Sequence, residues 1–112
     1  MKYALTVACL SAALWGCNPR PTQDLVLAEV ALKAAQKVKA DTLSPDLYRK
    51  AENHYLRAKK DYAEGYYDSC RKNSTNARLL AEQSEYKALL KQTQIRDKSS
   101  DDDFLSSQPD SK

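Results

Sequence analysis

Ser44 to Ala88 reads "SPDLYRKAENHYLRAKKDYAEGYYDSCRKNSTNARLLAEQSEYKA", and its two halves decide the fold. Ser44 is a good N-cap, Pro45 suits the first helical position and Asp46 follows where the helix dipole favours an anion. Leu47, Ala51, Tyr55, Ala58 and Tyr62 then recur at helical spacing. Gly65 stands where a helix is expected to stop, because glycine enters the left-handed conformation without a Cβ penalty. After it no Gly or Pro occurs before Pro109. The next helix can therefore run from about Tyr67 to about Arg96, roughly 45 Å at 1.5 Å per residue. Along it Cys70, Ser74, Ala77, Ala81, Ser84 and Ala88 repeat at alternating spacings of four and three, and every one is small. Such a seam lets a neighbouring helix approach closely, with the tyrosines of the preceding helix lying against it.

Upstream, "TQDLVLAEVALKAAQKVKA" has the same period. Leu25, Ala28, Leu32, Ala35 and Val38 form one stripe, which Val26, Val30 and Ala34 are expected to widen. Thr22 is the expected cap, Asp24 lies in the first turn, and the helix should span Gln23 to Ala40. The connections are short, so neighbours should be antiparallel. The expected fold is all-α: a three-helix antiparallel bundle, or a helical hairpin plus one helix. The third helix outruns the second, so Tyr86 to Ile95 is expected to project past the first loop and leave Leu89, Leu90 and Ile95 uncovered. From Lys98 onward "KSSDDDFLSSQPDSK" is polar, acidic and aperiodic, and reads as a disordered tail.

Bulk numbers agree with one small domain. The chain has 112 residues, only 2 Gly and 4 Pro, and a formal charge of +3. A domain of this length buries only about 60–70% of its unfolded surface, so the core must be thin. Arg20 to Asp97 carries 15 Lys/Arg against 11 Asp/Glu, and Lys98 to Lys112 carries 2 Lys against 4 Asp. The mildly basic body has interspersed signs and does not point to nucleic acid.

The N-terminus reads as a targeting segment. Met1-Lys2 is positive, and Tyr3 to Gly16, "YALTVACLSAALWG", is free of charge. Fourteen residues fall short of the roughly 20 that span a bilayer. A positive start and a short apolar run describe a secretory signal. "LWGC" resembles the lipobox of bacterial lipoproteins, with Leu14 three before Cys17 and Gly16 immediately before it. Trp15 departs from the small residue usual there. The resemblance implies residues 1–16 as signal peptide, residues 17–22 as tether and residues 23–97 as helical domain. It implies a diacylglycerol and an N-acyl chain on Cys17, with no other cofactor. Two or three chains hold firmly where one binds marginally. Asn18 in place of Asp implies the outer membrane, facing the periplasm, under the Gram-negative sorting rule. Ordinary cleavage after Ala13, releasing a soluble periplasmic protein, is the alternative. With Cys9 removed and Cys17 acylated, Cys70 is the one thiol left, and a small buried role suits it better than an intermolecular bridge.

Two further resemblances bear on the helices. Gly65, Tyr67, Cys70, Ser74 and Ala77 resemble the later part of a tetratricopeptide repeat, but only one repeat fits and an array needs several. Glu29 to Leu90 is similar to an uncharacterised Ala-rich helical domain, found alone in small lipoproteins or beside OmpA-like domains. That resemblance concerns packing residues and is nearly silent on activity.

No enzyme site assembles. His54, the single histidine, has no Cys, His or carboxylate at metal-ligand spacing and reads as a boundary residue. Asp101-Asp102-Asp103 reads as solvated tail rather than an oxygen cage. The function expected is a non-catalytic, lipid-anchored interaction or scaffold module of the envelope, binding a protein partner. Exposed Tyr48, Tyr66 or Tyr86 can anchor a partner, and Leu89, Leu90 and Ile95 offer the projecting end. The alternatives are an envelope-structural lipoprotein contacting peptidoglycan, or a secretin pilotin. Lys112 resembles the terminal lysine through which the major murein lipoprotein is linked to peptidoglycan, although that family's heptads are missing.

Overall fold

The computed structural model describes residues 20–106, with side chains as far as Phe104. Leu14, Trp15, Gly16, Cys17 and Lys112 lie outside the described residues. The chain forms α1 (Thr22–Lys37), the single turn α2 (Ala40–Leu43), α3 (Pro45–Glu64) and α4 (Tyr67–Ser106). The fold is an all-α bundle, and no strand occurs among the described residues. Its spine is α4, which packs along both α1 and α3, while α1 and α3 touch each other only slightly. α3 runs antiparallel to both. Arg71 meets Asp24 at 3.6 Å at one end of the parallel α1–α4 pair. At the other, Gln92 Nε2 donates to the Val38 carbonyl at 2.7 Å.

The small-residue seam is the core. Cys70, Ser74, Ala77, Ala81, Ser84 and Ala88 are all fully buried. Facing them are Ala28, Ala31, Leu32 and Ala35 of α1 and Tyr48, Ala51 and Ala58 of α3. The largest side chains buried completely are only Cys70, Ser74 and Ser84. Small side chains at a contact let helix axes approach toward the short end of the roughly 8–10 Å range, in place of bulky interdigitation.

One seam atom is unpaired. The Ser84 hydroxyl is buried without a hydrogen-bond partner. A desolvated, unsatisfied polar group costs about 1–3 kcal/mol, whereas an alanine fills nearly the same volume. Ser84→Ala is therefore expected to stabilise the bundle by about 1 kcal/mol. Chemical denaturation should show a higher midpoint at an unchanged slope.

Helix ends differ from expectation in instructive ways. Pro21, not Thr22, is the N-cap of α1, and no side chain caps it. Ser44 occupies the N-cap of α3 without a side-chain bond, and Pro45 follows at the first position. Gly65 ends α3 with φ of 83°, and the Tyr66 N–H returns to the Asp61 carbonyl at 2.8 Å. That double-back is a Schellman-type stop. No heavy atom comes within 4 Å of where a Gly65 Cβ would stand, so its requirement is backbone conformation alone.

α1 stops at Lys37 rather than Ala40, because Lys39 takes a left-handed φ of 57°. The Lys39 carbonyl accepts the N–H groups of Thr42 and Leu43 at 3.1 and 2.9 Å, which starts α2. Lysine pays roughly 1–2 kcal/mol for that conformation. Burial of Ala40 and Val38 against the rest of the core offsets it.

Two corrections concern the faces and length of the helices. Val26 and Val30 do not widen the inner stripe of α1. They stand 56% and 57% exposed, because three turns of Ala and Leu already fill the space against α4. The long helix ends at Ser106, not near Arg96, so Lys98 to Ser106 is helical where a tail was expected. No helix breaker interrupts it, and the Ser99 and Ser100 hydroxyls both return to the Arg96 carbonyl. Nor does the projection begin at Tyr86. Ala88 is fully buried, and Lys91 Nζ donates to the Leu43 carbonyl, so the uncovered part starts at Thr93.

Candidate functional site

Because α1 and α3 both lie on α4 yet barely meet, a groove of about 490 Å³ opens between them. Leu32 and Gln36 come from α1, and Tyr48, Glu52, Tyr55 and Leu56 from α3. Tyr48 and Leu32 are nearly closed off, whereas Leu56 is 60% exposed. Burial, reinforced by the nearby Glu52 and Asp41 carboxylates, pushes the Tyr48 hydroxyl above its ordinary pKa.

Tyr55 organises the middle of the groove. Its hydroxyl lies near the Glu29 carboxylate, and the Lys59 ammonium sits 5.7 Å from its ring centroid. Glu29 also pairs with Lys33 at 2.7 Å. Those contacts hold the Glu29 carboxyl below its usual range, chiefly through the hydrogen bond from Lys33, and lift the Lys33 ammonium. Burial is the main reason that Tyr55 is raised. The result is an apolar floor between two rims that each carry one glutamate and one lysine, Glu29 and Lys33 on α1 and Glu52 and Lys59 on α3, the arrangement that suits an apolar side chain with polar neighbours.

On the other side of α3 a polar chain ties α3 to α4. Ser69 Oγ and Asn73 Nδ2 donate to Asp61 Oδ2 at 2.7 and 2.8 Å. With the Asn73 amide nitrogen so engaged, its oxygen accepts from His54 Nδ1 at 3.1 Å, which puts the imidazole proton on Nδ1. The serine donates to the carboxylate rather than to the imidazole, so Ser69 and His54 do not form the hydrogen-bonded pair of an activated nucleophile. The group is structural. It locks the two helices beside the Gly65 turn.

Those two hydrogen bonds, Ser69 first, hold Asp61 below the ordinary carboxylate range. Folded Asp61 thus ionises more readily than unfolded Asp61, which favours the fold above the unfolded value. This contribution is fully present above an unfolded pKa of about 3.9 and fades as pH falls through the lower folded value. Acid titration followed by circular dichroism should show Asp61→Asn with a shallower loss of stability below about pH 4 than the parent chain.

The residues expected to meet a partner are scattered. Tyr48 is a correction: it is only 8% exposed, because its ring fills the space above the alanines of α1 and α4, and it belongs to the core. Tyr66 is 62% exposed at the α3–α4 turn. Tyr86 is 65% exposed, and by its 100° per residue it lies opposite the seam, on the row of Leu79 and Leu90. Leu89 flanks that row and is exposed. Leu90 also borders a second hollow, of about 350 Å³, with Pro45, Leu47 and Lys87. Ile95 lies on the seam side beyond the last covered turn.

The groove is not among the expected sites, because Leu56 falls outside the Leu47–Tyr62 stripe of α3 and periodicity alone does not tell an outward leucine from a groove wall. Its signal was there: Tyr48, Glu52, Tyr55, Leu56 and Lys59 share one side of α3 at helical spacing. Among the described residues no cluster of His, Cys, Asp or Glu is placed to hold a metal, and no helix is long and apolar enough to cross a membrane. No protein-family model, curated protein or solved structure matches the chain.

Proposed function

We propose that this chain is a non-catalytic interaction module held at the outer membrane by lipid on Cys17, facing the periplasm and binding a protein partner. The observation that carries the binding half is the α1–α3 groove, whose half-exposed Leu56 and Tyr55 lie between charged rims. A partner helix laid there would turn three packed helices into four, covering the one long side of the bundle where α1 and α3 leave each other uncovered. The anchoring half rests on the "LWGC" stretch and on the charge-free run before it.

Each half has its own test. Radiolabelled palmitate should enter the parent chain, and Cys17→Ser should lose the label and move from the membrane to the soluble fraction. A chain that stays in the membrane fraction unlabelled overturns the anchor. Partner capture by crosslinking in intact envelopes, compared between the parent and Leu56→Asp, tests the groove. Equal capture by both overturns it.

A further inference from the structure

α1 has two apolar sides. Ala28, Ala31, Leu32 and Ala35 face the core. Val26, Leu27 and Val30 face away from it and are 56%, 50% and 57% exposed. Thr22, Gln23, Val26 and Leu27 border a shallow hollow of about 430 Å³ on that outer side. Toward the far end of the same helix come Lys33 and Lys37, both exposed. An apolar outer face followed by lysines, on a helix whose inner face is already satisfied, matches a helix lying in a bilayer interface.

The position of the patch says what covers it. Cys17 precedes Thr22 by five residues, and a chain that long spans at most about 17 Å when fully extended. Val26 and Leu27 sit a further ~6–8 Å along the helix. The α3–α4 turn is at this same end, as the Asp24–Arg71 pair shows, and it carries exposed Tyr66 beside the Tyr62–Tyr67 ring pair at 5.9 Å. Tyrosines are enriched at the headgroup level of membranes, where the ring is half-wet. A tether this short keeps the whole patch within reach of the lipid surface.

We infer that the Val26–Leu27–Val30 face of α1, with Tyr66 at its edge, rests in the headgroup boundary of the bilayer to which Cys17 is attached. This inference rests on the lipid-anchor reading and adds an orientation to it. The bundle leans on its α1 side at the anchored end, and the groove opens along the flank with its Gln36–Tyr48 end farthest from the membrane. The outer face of α4 then points away from the lipid.

Tryptophan quenching by brominated lipid tests it. Trp15 is the single tryptophan and leaves with the signal peptide, so in the acylated chain Leu27→Trp reports from α1 alone. Tyr86→Trp in the same background reports from the outer face of α4. In vesicles of phosphatidylethanolamine and phosphatidylglycerol with brominated acyl chains, the residue-27 reporter should be quenched about twofold more than the residue-86 reporter, as burial to acyl depth requires. Adding Val26→Asp and Val30→Asp, both at exposed positions, should bring the two reporters level while circular dichroism stays unchanged. Equal quenching of the two reporters before that change overturns the inference. So does a residue-27 reporter shielded only as the protein concentration rises, which assigns the face to a second copy. Mass of the N-terminal peptide separates the two readings: an acylated chain with equal quenching refutes the orientation alone, and an unacylated chain refutes the anchor.

Discussion

Ala81→Leu should cost the bundle about 3 kcal/mol, a lowering of the melting temperature by roughly 12–24 °C for a domain of this size. Ala81 is fully buried at the middle of the α4 seam, in the same cluster as Ala31, Leu32, Ala35 and Ala51. Three of those neighbours are alanines, whose side chains cannot move aside, and Leu32 is itself packed in the core, so three added carbons find little room. Either α1 or α3 must move outward along its whole length, breaking the close approach that the seam allows. Thermal unfolding followed at the helical band would read the loss. Leu79→Ala is the control: Leu79 is 45% exposed on the opposite side of the same helix and should shift stability by no more than about 0.5 kcal/mol. Equal effects at positions 79 and 81 would contradict the seam as the core.

The second large effect is on binding. Leu56→Asp should weaken capture of the proposed partner about thirtyfold, equivalent to about 2 kcal/mol at an interface hot spot. Leu56 is 60% exposed, so an aspartate costs the free bundle little. In the complex it would place a charge on an apolar floor, between the Glu29 and Glu52 carboxylates that border the groove. Both lysines that border the groove are already engaged, Lys33 with Glu29 and Lys59 over Tyr55, so compensating the desolvated charge would break one of those contacts. Leu90→Asp, on the other side of the bundle, should leave capture within about twofold, since substitutions outside the contact are nearly neutral. Reversal of those two results would move the partner site to the α4 side.

The two variants also separate the claims. Ala81→Leu probes what makes the helices assemble, and Leu56→Asp probes what the assembled helices present. A partner lost in both, with folding lost only in the first, supports a rigid surface. Loss of folding in both would show that the groove wall is part of the core.

Much of the framework is legible in the residues themselves. Ser44-Pro45 and Gly65 mark the ends of α3 because a fixed proline φ and a positive glycine φ are properties of single residues. The alternating four-three row of small residues on α4 is a local pattern too, and all six of its members are buried. What neighbouring chain segments do to each other is not local. The sequence offered no glycine at Lys39, yet packing of Ala40 into the core imposes a left-handed turn there and ends α1 early. Val26 and Val30 have the same apolarity as Leu25 and Leu32, and composition cannot say which of two apolar sides a partner helix will choose. Tyr48 shows the reverse case, a residue amphipathic enough for either place that the bundle closes over.

By itself, then, the sequence determined the helical class, the stops of α3 and the seam that draws the helices together. Only the tertiary structure decided that α1 and α3 share α4 without meeting, which leaves a groove on one side and an apolar strip of α1 on another. The reason is geometric. Helical periodicity specifies which side chains share a face, but the angle between two helices depends on how closely a third lets both approach, and that is settled by the size of alanine and serine along α4.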